Sequence, residues 1–296
     1  MCNQNMKPFI KWVGGKSQIL SDVLGSFPTK IGNYHEIFVG GGSVLLSVLS
    51  KRLVTGKVCA YDLNKYLIDL YKNIQTCPEV VHKHLKKLFT EYDSCTGTDV
   101  NRKPNTLSEA KQCKENYYYW IRQRFNTLKK ETPEQSAMFM FLNKTCFRGV
   151  YREGPNGFNV PYGHYKTTPS LLTLDELKAV SELIRDVEFS QCDFREAFNN
   201  VGKDDFVYLD PPYAPETKTS FVGYTKDGFG LKDHEDLFNL TKNSGAEFVM
   251  SNAKVDLVTG AFSNYNIKEL QARRAIHSKK PDSTTTEVLV SSSTRK

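Results

Sequence analysis

Short apolar runs alternate with longer amphipathic stretches along most of this chain. Tyr34 to Val39, Lys57 to Tyr61, Val187 to Gln191, Phe206 to Leu209, Glu247 to Met250 and Glu287 to Val290 have the length and the β-branched and aromatic content of buried strands. Apolar residues at helical spacing predict helices over Ser17–Leu24, Ser43–Lys51, Leu174–Arg185 and Lys232–Ser244. Strands that alternate with helices in this way predict an α/β fold with a mainly parallel sheet. The pattern changes between residues 64 and 165. Residues 64–92 read as helix broken at Pro78, Asp93–Ser108 as a polar loop, and Glu109–Lys130 and Pro133–Asn143 as two more helices. In the first of these, Tyr117, Trp120, Ile121 and Phe125 share a face and are assigned to a core. The expected organisation is a core built from 1–76 and 166–296, with a mainly helical domain inserted over 77–165.

One stretch of that insertion is neither helix nor ordinary loop. Residues 144–163 are rich in Gly, Asn and Pro, yet carry Phe147, Arg148, Tyr151, Arg152, Phe158 and Tyr162. Pro155-Asn156-Gly157 predicts the turn of a β-hairpin, and backbone of this kind bearing Arg, Asn and Tyr is also suited to base edges and phosphates. Charge points the same way. The excess of 40 Lys/Arg over 33 Asp/Glu is confined to residues 1–76 (9 against 4) and 77–165 (14 against 9), while 166–296 is acidic (17 against 20). A basic face of this sort fits a polyanionic partner. Ala214–Gly230 reads as a loop, and a basic segment, Arg273–Lys280, precedes the last strand. Seven scattered cysteines without a Cys-x-x-Cys pair, and six scattered histidines, argue against a disulfide framework and a metal site. No stretch has the character of a signal peptide or membrane span, so a reduced, intracellular setting is expected.

Two strand ends carry the candidate chemistry. The run Phe206–Leu209 stops at Asp210-Pro211-Pro212-Tyr213, where two prolines end the strand and hold a carboxylate and a ring at the sheet edge that binds ligands in open α/β folds. Far upstream, Tyr34–Val39 runs into Gly40-Gly41-Gly42 before a helix, which lets backbone approach a ligand beside the helix N-terminus. The next strand ends at Asp62, spaced as an acid that accepts hydrogen bonds from ribose hydroxyls. Together they point to an adenosine-containing cofactor. Gly14-Gly15-Lys16-Ser17 is not a phosphate-binding loop, because that motif needs glycine where Ile10 stands.

Lys11-Trp12-x-Gly-Gly-Lys16, Phe38-x-Gly-x-Gly42, Asp62, Asn159-Val-Pro-Tyr-Gly163 and Asp210-Pro-Pro-Tyr213, in this order, resemble the motifs of the DNA adenine-N6 methyltransferase (Dam) family, D12 class. The resemblance covers nearly the whole chain. It implies a Rossmann-like core binding S-adenosylmethionine, with the 77–165 insertion as target-recognition domain on double-stranded DNA, and no metal. By the resemblance, Trp12, Lys16, Phe38, Gly40, Gly42, Asp62 and Asp210 fall on cofactor positions, and Asp193 faces the cofactor's adenine. Asp210, Pro211, Pro212 and Tyr213 form the catalytic set. Lys11 and Arg152 fall where relatives contact DNA, and the hairpin segment adds Arg148, Asn159, Pro161 and Tyr165. Many relatives have Asn-Gly where this chain has Arg148-Gly149, so the recognition site is open between GATC and another palindrome such as CATG. A cognate restriction endonuclease encoded nearby is an open partner.

The chemistry of the residues agrees. An adenine amine is a poor nucleophile, and the Asp210 carboxylate with the Pro211 carbonyl can accept both N6 hydrogens while Tyr213 stacks on an extruded base. The chain has no Pro-Cys pair for covalent cytosine chemistry. Methylation of RNA or of a protein glutamine is the runner-up, although protein-amide enzymes usually have Asn in place of Asp210. A non-catalytic DNA-binding protein is disfavoured because every expected catalytic position is filled.

Overall fold

The computed structural model describes residues 6–128, 130–214, 228–273 and 284–292. Most of the loop Ala214–Gly230 and of the basic segment Arg273–Lys280 therefore lies outside the described residues. In chain order the strands are β1 (Tyr34–Ile37), β2 (Val58–Asp62), the short β3 (Glu153–Gly154) and β4 (Gly157–Phe158), β5 (Val187–Gln191), β6 (Phe206–Leu209), β7 (Glu247–Ala253), β8 (Asn266–Arg273) and β9 (Thr284–Ser291). Seven of them form one sheet in the order β5-β2-β1-β6-β7-β9-β8. The first five are parallel, and β9 and β8 close one edge as an antiparallel pair. This is the α/β, Rossmann-like architecture expected from the sequence.

Two compact units make up the chain. The first comprises Met1–Lys7, Gly14–Leu63 and Asp186–Lys296, and the second comprises Pro8–Val13 and Asn64–Arg185. In the first unit β1 and β6 lie at the centre of the sheet with every residue buried; β6 accordingly reads as a continuous apolar run rather than an alternating one, whereas β1 buries His35 and Glu36 between Tyr34 and Ile37. Their register pairs Ile37 with Leu209. The chain leaving β1 at Phe38 and the chain leaving β6 at Asp210 therefore emerge side by side at the carboxyl edge. Tyr61 pairs with Ile37 on the other side of β1, so Asp62 emerges there too.

The second unit contains the helices Lys65–Thr76, Pro78–Asp93, Leu107–Ala110, Lys114–Leu128, Pro133–Thr145 and Leu174–Leu183, with the hairpin β3-β4. The first and last of these helices pack against the second, so both belong to this unit and the chain divides at Leu63 and Arg185. Pro78 and Pro133 each stand at a helix start, where the missing N–H is no loss. Asn64, Thr132 and Thr173 cap their helices by accepting from the backbone N–H three residues on.

Several elements differ from the sequence reading. Ser17–Leu24 is a 3-10 turn at Lys16–Gln18 followed by a helix at Leu20–Gly25. The expected helix Glu109–Lys130 begins at Lys114, because Thr106 caps a separate turn at Leu107–Ala110. Trp120 is only half-buried, whereas Tyr117 and Tyr118 are fully buried and donate to Glu91 Oε2 and the Val160 carbonyl, each at 2.7 Å. The helix Asp256–Ala261 and strand β8 were not anticipated. Among the described residues no helix is long and apolar enough to cross a membrane, and six cysteines are free thiols.

Candidate active site

Asp210 follows β6 directly and is met by Lys16, whose Nζ lies 2.7 Å from Oδ1. Both side chains are largely enclosed, at 5% exposure for Lys16 and 17% for Asp210. The contact is an ion pair whose direction falls outside hydrogen-bond alignment, which leaves buried Oδ1 with no aligned donor among the described residues. Lys16 Nζ also donates to the Gly14 carbonyl at 2.8 Å and lies 4.8 Å from the centroid of the Tyr213 ring. Burial pushes the Asp210 carboxyl up to about 6, against the opposing pull of Lys16. Tyr213 is itself held, its hydroxyl donating to Glu287 Oε2 of β9 at 2.6 Å. Just past the turn, Ala214 N–H donates to Asn252 Oδ1 of β7 at 3.0 Å.

A second carboxyl lies inside the sheet. Glu36, in the middle of β1, is 2% exposed and accepts from the Tyr34 hydroxyl at 2.6 Å. Burial raises it to about 8, and the nearby charge of Asp210 adds to the rise. Glu36 is therefore mostly neutral at pH 7, which leaves Asp210 as the carboxylate of the pair. A carboxylate inside a run with the character of a buried strand was the sequence signal for it, and sequence reasoning missed it.

The glycine turn is built as its composition implies. Phe38, Gly40 and Gly42 have φ of 76°, 50° and 71°, and Gly42 caps the helix Ser43–Ser50. Two of these left-handed positions are glycine, but Phe38 adopts the conformation at a steric cost. Its ring packs against Phe194 and Phe229, each at 5.9 Å between centroids. Asp62 accepts from Gly40 N–H through Oδ2 at 3.0 Å, tying the turn to β2. Asp193 caps the helix Phe194–Ala197, accepting from Arg195 N–H at 2.9 Å, and pairs with the Arg195 guanidinium at 3.2 Å. That guanidinium also meets Asp233 and Asp236, each at 2.7 Å.

Among the proposed cofactor residues, Trp12 alone is carried by the second unit, where it stacks on Tyr151 at 5.5 Å. The nucleic-acid candidates Lys11, Arg148, Arg152, Asn159, Pro161 and Tyr165 all belong to that unit. Asn143, which sequence reasoning missed, gathers part of the set. It accepts from Lys11 N–H at 3.0 Å and donates to the carbonyls of Lys11 (2.8 Å) and Gly149 (3.1 Å). Gly149 has φ of 68°, and a Cβ there would lie 2.7 Å from Lys11 Cδ. Arg148, exposed and at φ 58°, lies over the ring of Phe147, which is 48% exposed. Arg152 donates from Nε to Asn159 Oδ1 at 2.7 Å across the hairpin, while Tyr165 donates to the Cys146 carbonyl and faces Lys11 at 5.6 Å. Pro161 is exposed, its carbonyl accepting from Phe147 N–H. Burial, and then the charge of Lys11, holds Lys144 below the ordinary lysine range.

A family model described as D12 class N6 adenine-specific DNA methyltransferase matches residues 12–276. The chain belongs to that family. It is 37% identical over 288 residues to the type II methyltransferase M.MjaIII of Methanocaldococcus jannaschii, covering 93% of this chain and 94% of that one. The DNA adenine methylase of Haemophilus influenzae is 30% identical over 276 residues, 91% and 87% of the two chains. A D12 methyltransferase acts on DNA and needs a methyl donor, generally S-adenosylmethionine. The first unit of this D12 enzyme suits such a donor: left-handed glycines open the backbone at a helix N-terminus, Asp62 supplies an acid beside them, and Asp210 a buried carboxylate. Among its described residues no group of three or more His, Cys, Asp or Glu side chains could hold a metal ion.

Proposed function

We propose that this D12 enzyme transfers the methyl group of S-adenosylmethionine to N6 of an adenine swung out of a short duplex site. GATC is the first expectation, and CATG or a similar palindrome the alternative. The observation that carries the reading is the Asp210 carboxylate, buried at the end of β6 with the Lys16 ammonium at 2.7 Å and that ammonium over the ring of Tyr213. An acceptor without an aligned donor and an aromatic face that converge on one point are what an adenine amine requires. The cofactor, when bound, supplies an electrophilic methyl on a sulfonium centre. Gly40, Gly42, Phe38, Asp62, Asp193 and Lys16 would hold it, with Trp12 assigned on its motif alone.

The remaining steps belong to the chain's own groups. Asp210 and the Pro211 carbonyl each accept one N6 hydrogen, strengthening as positive charge develops on nitrogen. Tyr213, fixed by Glu287, is the stacking wall for the base. Lys11, Arg148, Arg152, Asn159, Pro161 and Tyr165 are the proposed duplex contacts, and the exposure of Phe147 supports adding it as a stacking residue. The type II naming of relatives supports a companion restriction endonuclease. The test is transfer of labelled methyl to duplex DNA, RNA and protein by wild-type and Asp210→Ala enzyme. Transfer to DNA alone, lost in the variant while cofactor affinity stays within several-fold, is expected; near-normal turnover by Asp210→Ala refutes the assignment.

A further inference from the structure

His234 lies in the first turn of the helix Leu231–Asn243 and is wholly enclosed, at 0% exposure. Its surroundings are aromatic: Phe229 meets the ring edge-on at 4.7 Å and Phe238 lies at 6.0 Å. A leucine would fill such a place without the penalty of burying a polar ring. The two ring nitrogens instead face backbone carbonyls. Nε2 is 3.1 Å from the carbonyl oxygen of Pro212, and Nδ1 is 2.9 Å from that of Gly230. Carbonyl oxygens only accept, so the imidazole is the donor wherever either contact is a hydrogen bond.

Pro212 belongs to the catalytic turn. The peptide planes that carry the Pro211 and Pro212 carbonyls are related by the two torsions of Pro212, and its ring locks one of them, φ, at about −65°. A hydrogen bond that holds the Pro212 carbonyl restrains the other, ψ. It therefore steadies the direction of the Pro211 carbonyl and the peptide plane from which Tyr213 projects. Among the described residues no donor meets the Pro211 carbonyl. Phe229, packed against His234, also touches Phe38 and Phe194. The same imidazole thus joins the catalytic turn to the aromatic cluster under the glycine turn.

We propose that His234 is a positioning residue for methyl transfer: it donates from Nε2 to the Pro212 carbonyl and so sets the Pro211 carbonyl and the Tyr213 ring for the target amine. The inference rests on the catalytic reading of Asp210 and its turn. Three variants test it. His234→Phe keeps a flat ring without a donor. His234→Gln puts an amide donor near the place of Nε2, and His234→Asn puts one near the place of Nδ1. The readouts are the single-turnover rate of labelled methyl transfer to adenine-unmethylated bacterial genomic DNA, and the dissociation constants of S-adenosylmethionine and of that DNA. His234→Phe is expected to slow transfer roughly ten- to hundred-fold, as small misplacements of reacting groups do, with both dissociation constants within about three-fold of wild type. His234→Gln is expected to restore most of the rate and His234→Asn little of it. Full-speed His234→Phe, equal rescue by Asn, or a rate lost only in step with binding overturns the proposal. If the Phe variant does not fold, the contrast between Gln and Asn decides. Asp210→Ala run alongside separates the two levels. An active Asp210→Ala removes the catalytic reading itself, whereas an inactive one beside full-speed His234→Phe removes only the role of His234.

Discussion

Asp210 combines two demands that pull in opposite directions. Burial raises its carboxyl to about 6, while the job of accepting from an amine requires the charged form. Lys16 at 2.7 Å offsets part of the burial and keeps the charged form accessible at neutral pH. The expected consequence is that kcat/KM is level above pH 7 and falls about tenfold per pH unit well below pH 6; a profile flat to pH 5 would contradict the assignment. Glu36 yields a prediction about stability. Its carboxyl is raised from 4.5 to about 8, so between those values the folded chain holds a proton that the unfolded chain has released. Stability must then fall as pH rises through this window, and change no further above it. Relative to Glu36→Gln, which cannot titrate, the wild type should lose about 1.4 kcal/mol per pH unit from pH 5 to 8 in denaturant unfolding. A constant difference over that range would show that Glu36 is ionised throughout. Asp210 was legible in the sequence because its chemistry is written in adjacent residues. Glu287 was not, because its contact with Tyr213 spans 74 positions and no local pattern announces it.

At the scale of elements, the strand ends assemble the site. β1, β2, β5 and β6 lie side by side and parallel, so Phe38, Asp62, Asp193 and Asp210 all follow the same edge of the sheet. Those strands were readable because each is a short run carrying β-branched or aromatic residues that ends near a glycine or an acid. β8 was missed because it is an edge strand whose residues, Asn266-Ile267-Lys268-Glu269-Leu270-Gln271, mix polar and apolar without the continuous apolar character of the central strand β6. The helix Lys114–Leu128 began later than expected for a different reason. Thr106 offered the backbone a competing cap, and helical spacing alone does not register a cap. The hydrogen bond from Gly40 N–H to Asp62 ties the glycine turn to β2, so Asp62→Ala should both loosen that turn and remove the proposed ribose acceptor. Loss of a hydrogen bond to a charged group amounts to roughly 1.5–3 kcal/mol. Cofactor affinity should fall about ten- to hundred-fold by calorimetry, with DNA affinity little changed. An unchanged cofactor isotherm would remove Asp62 from the cofactor site.

Over the whole molecule, charge separates by unit. The second unit holds 20 of the 40 Lys/Arg but only 13 of the 33 Asp/Glu, so it carries the entire net charge of +7 while the first unit is balanced. Segment counts along the chain had spread that excess over residues 1–165, because helices packed in the second unit lie on both sides of 77–165 in sequence. A phosphate backbone would be met by the charged unit, and affinity for DNA of any sequence should fall steeply with salt. Sequence reading needs more than charge, and Arg152 is the side chain proposed for it. Its Nε is engaged by Asn159 Oδ1 at 2.7 Å, which orients the guanidinium on the hairpin without using all five of its N–H donors. Paired N–H groups match the O6 and N7 acceptors of guanine. Arg152→Ala should therefore relax discrimination at one position of the site by about 1–3 kcal/mol, measured as methylation rates on duplexes altered at single positions. Asn159→Ala, which removes the Oδ1 acceptor of the guanidinium but keeps the backbone carbonyl that accepts from its Nη2, should relax the same position less. If Arg152 instead grips phosphate, rates should fall evenly across all duplexes and the slope of log affinity against log salt should become shallower by about one. An even loss of that kind would assign recognition to another part of the second unit, with Arg148 the next residue to substitute.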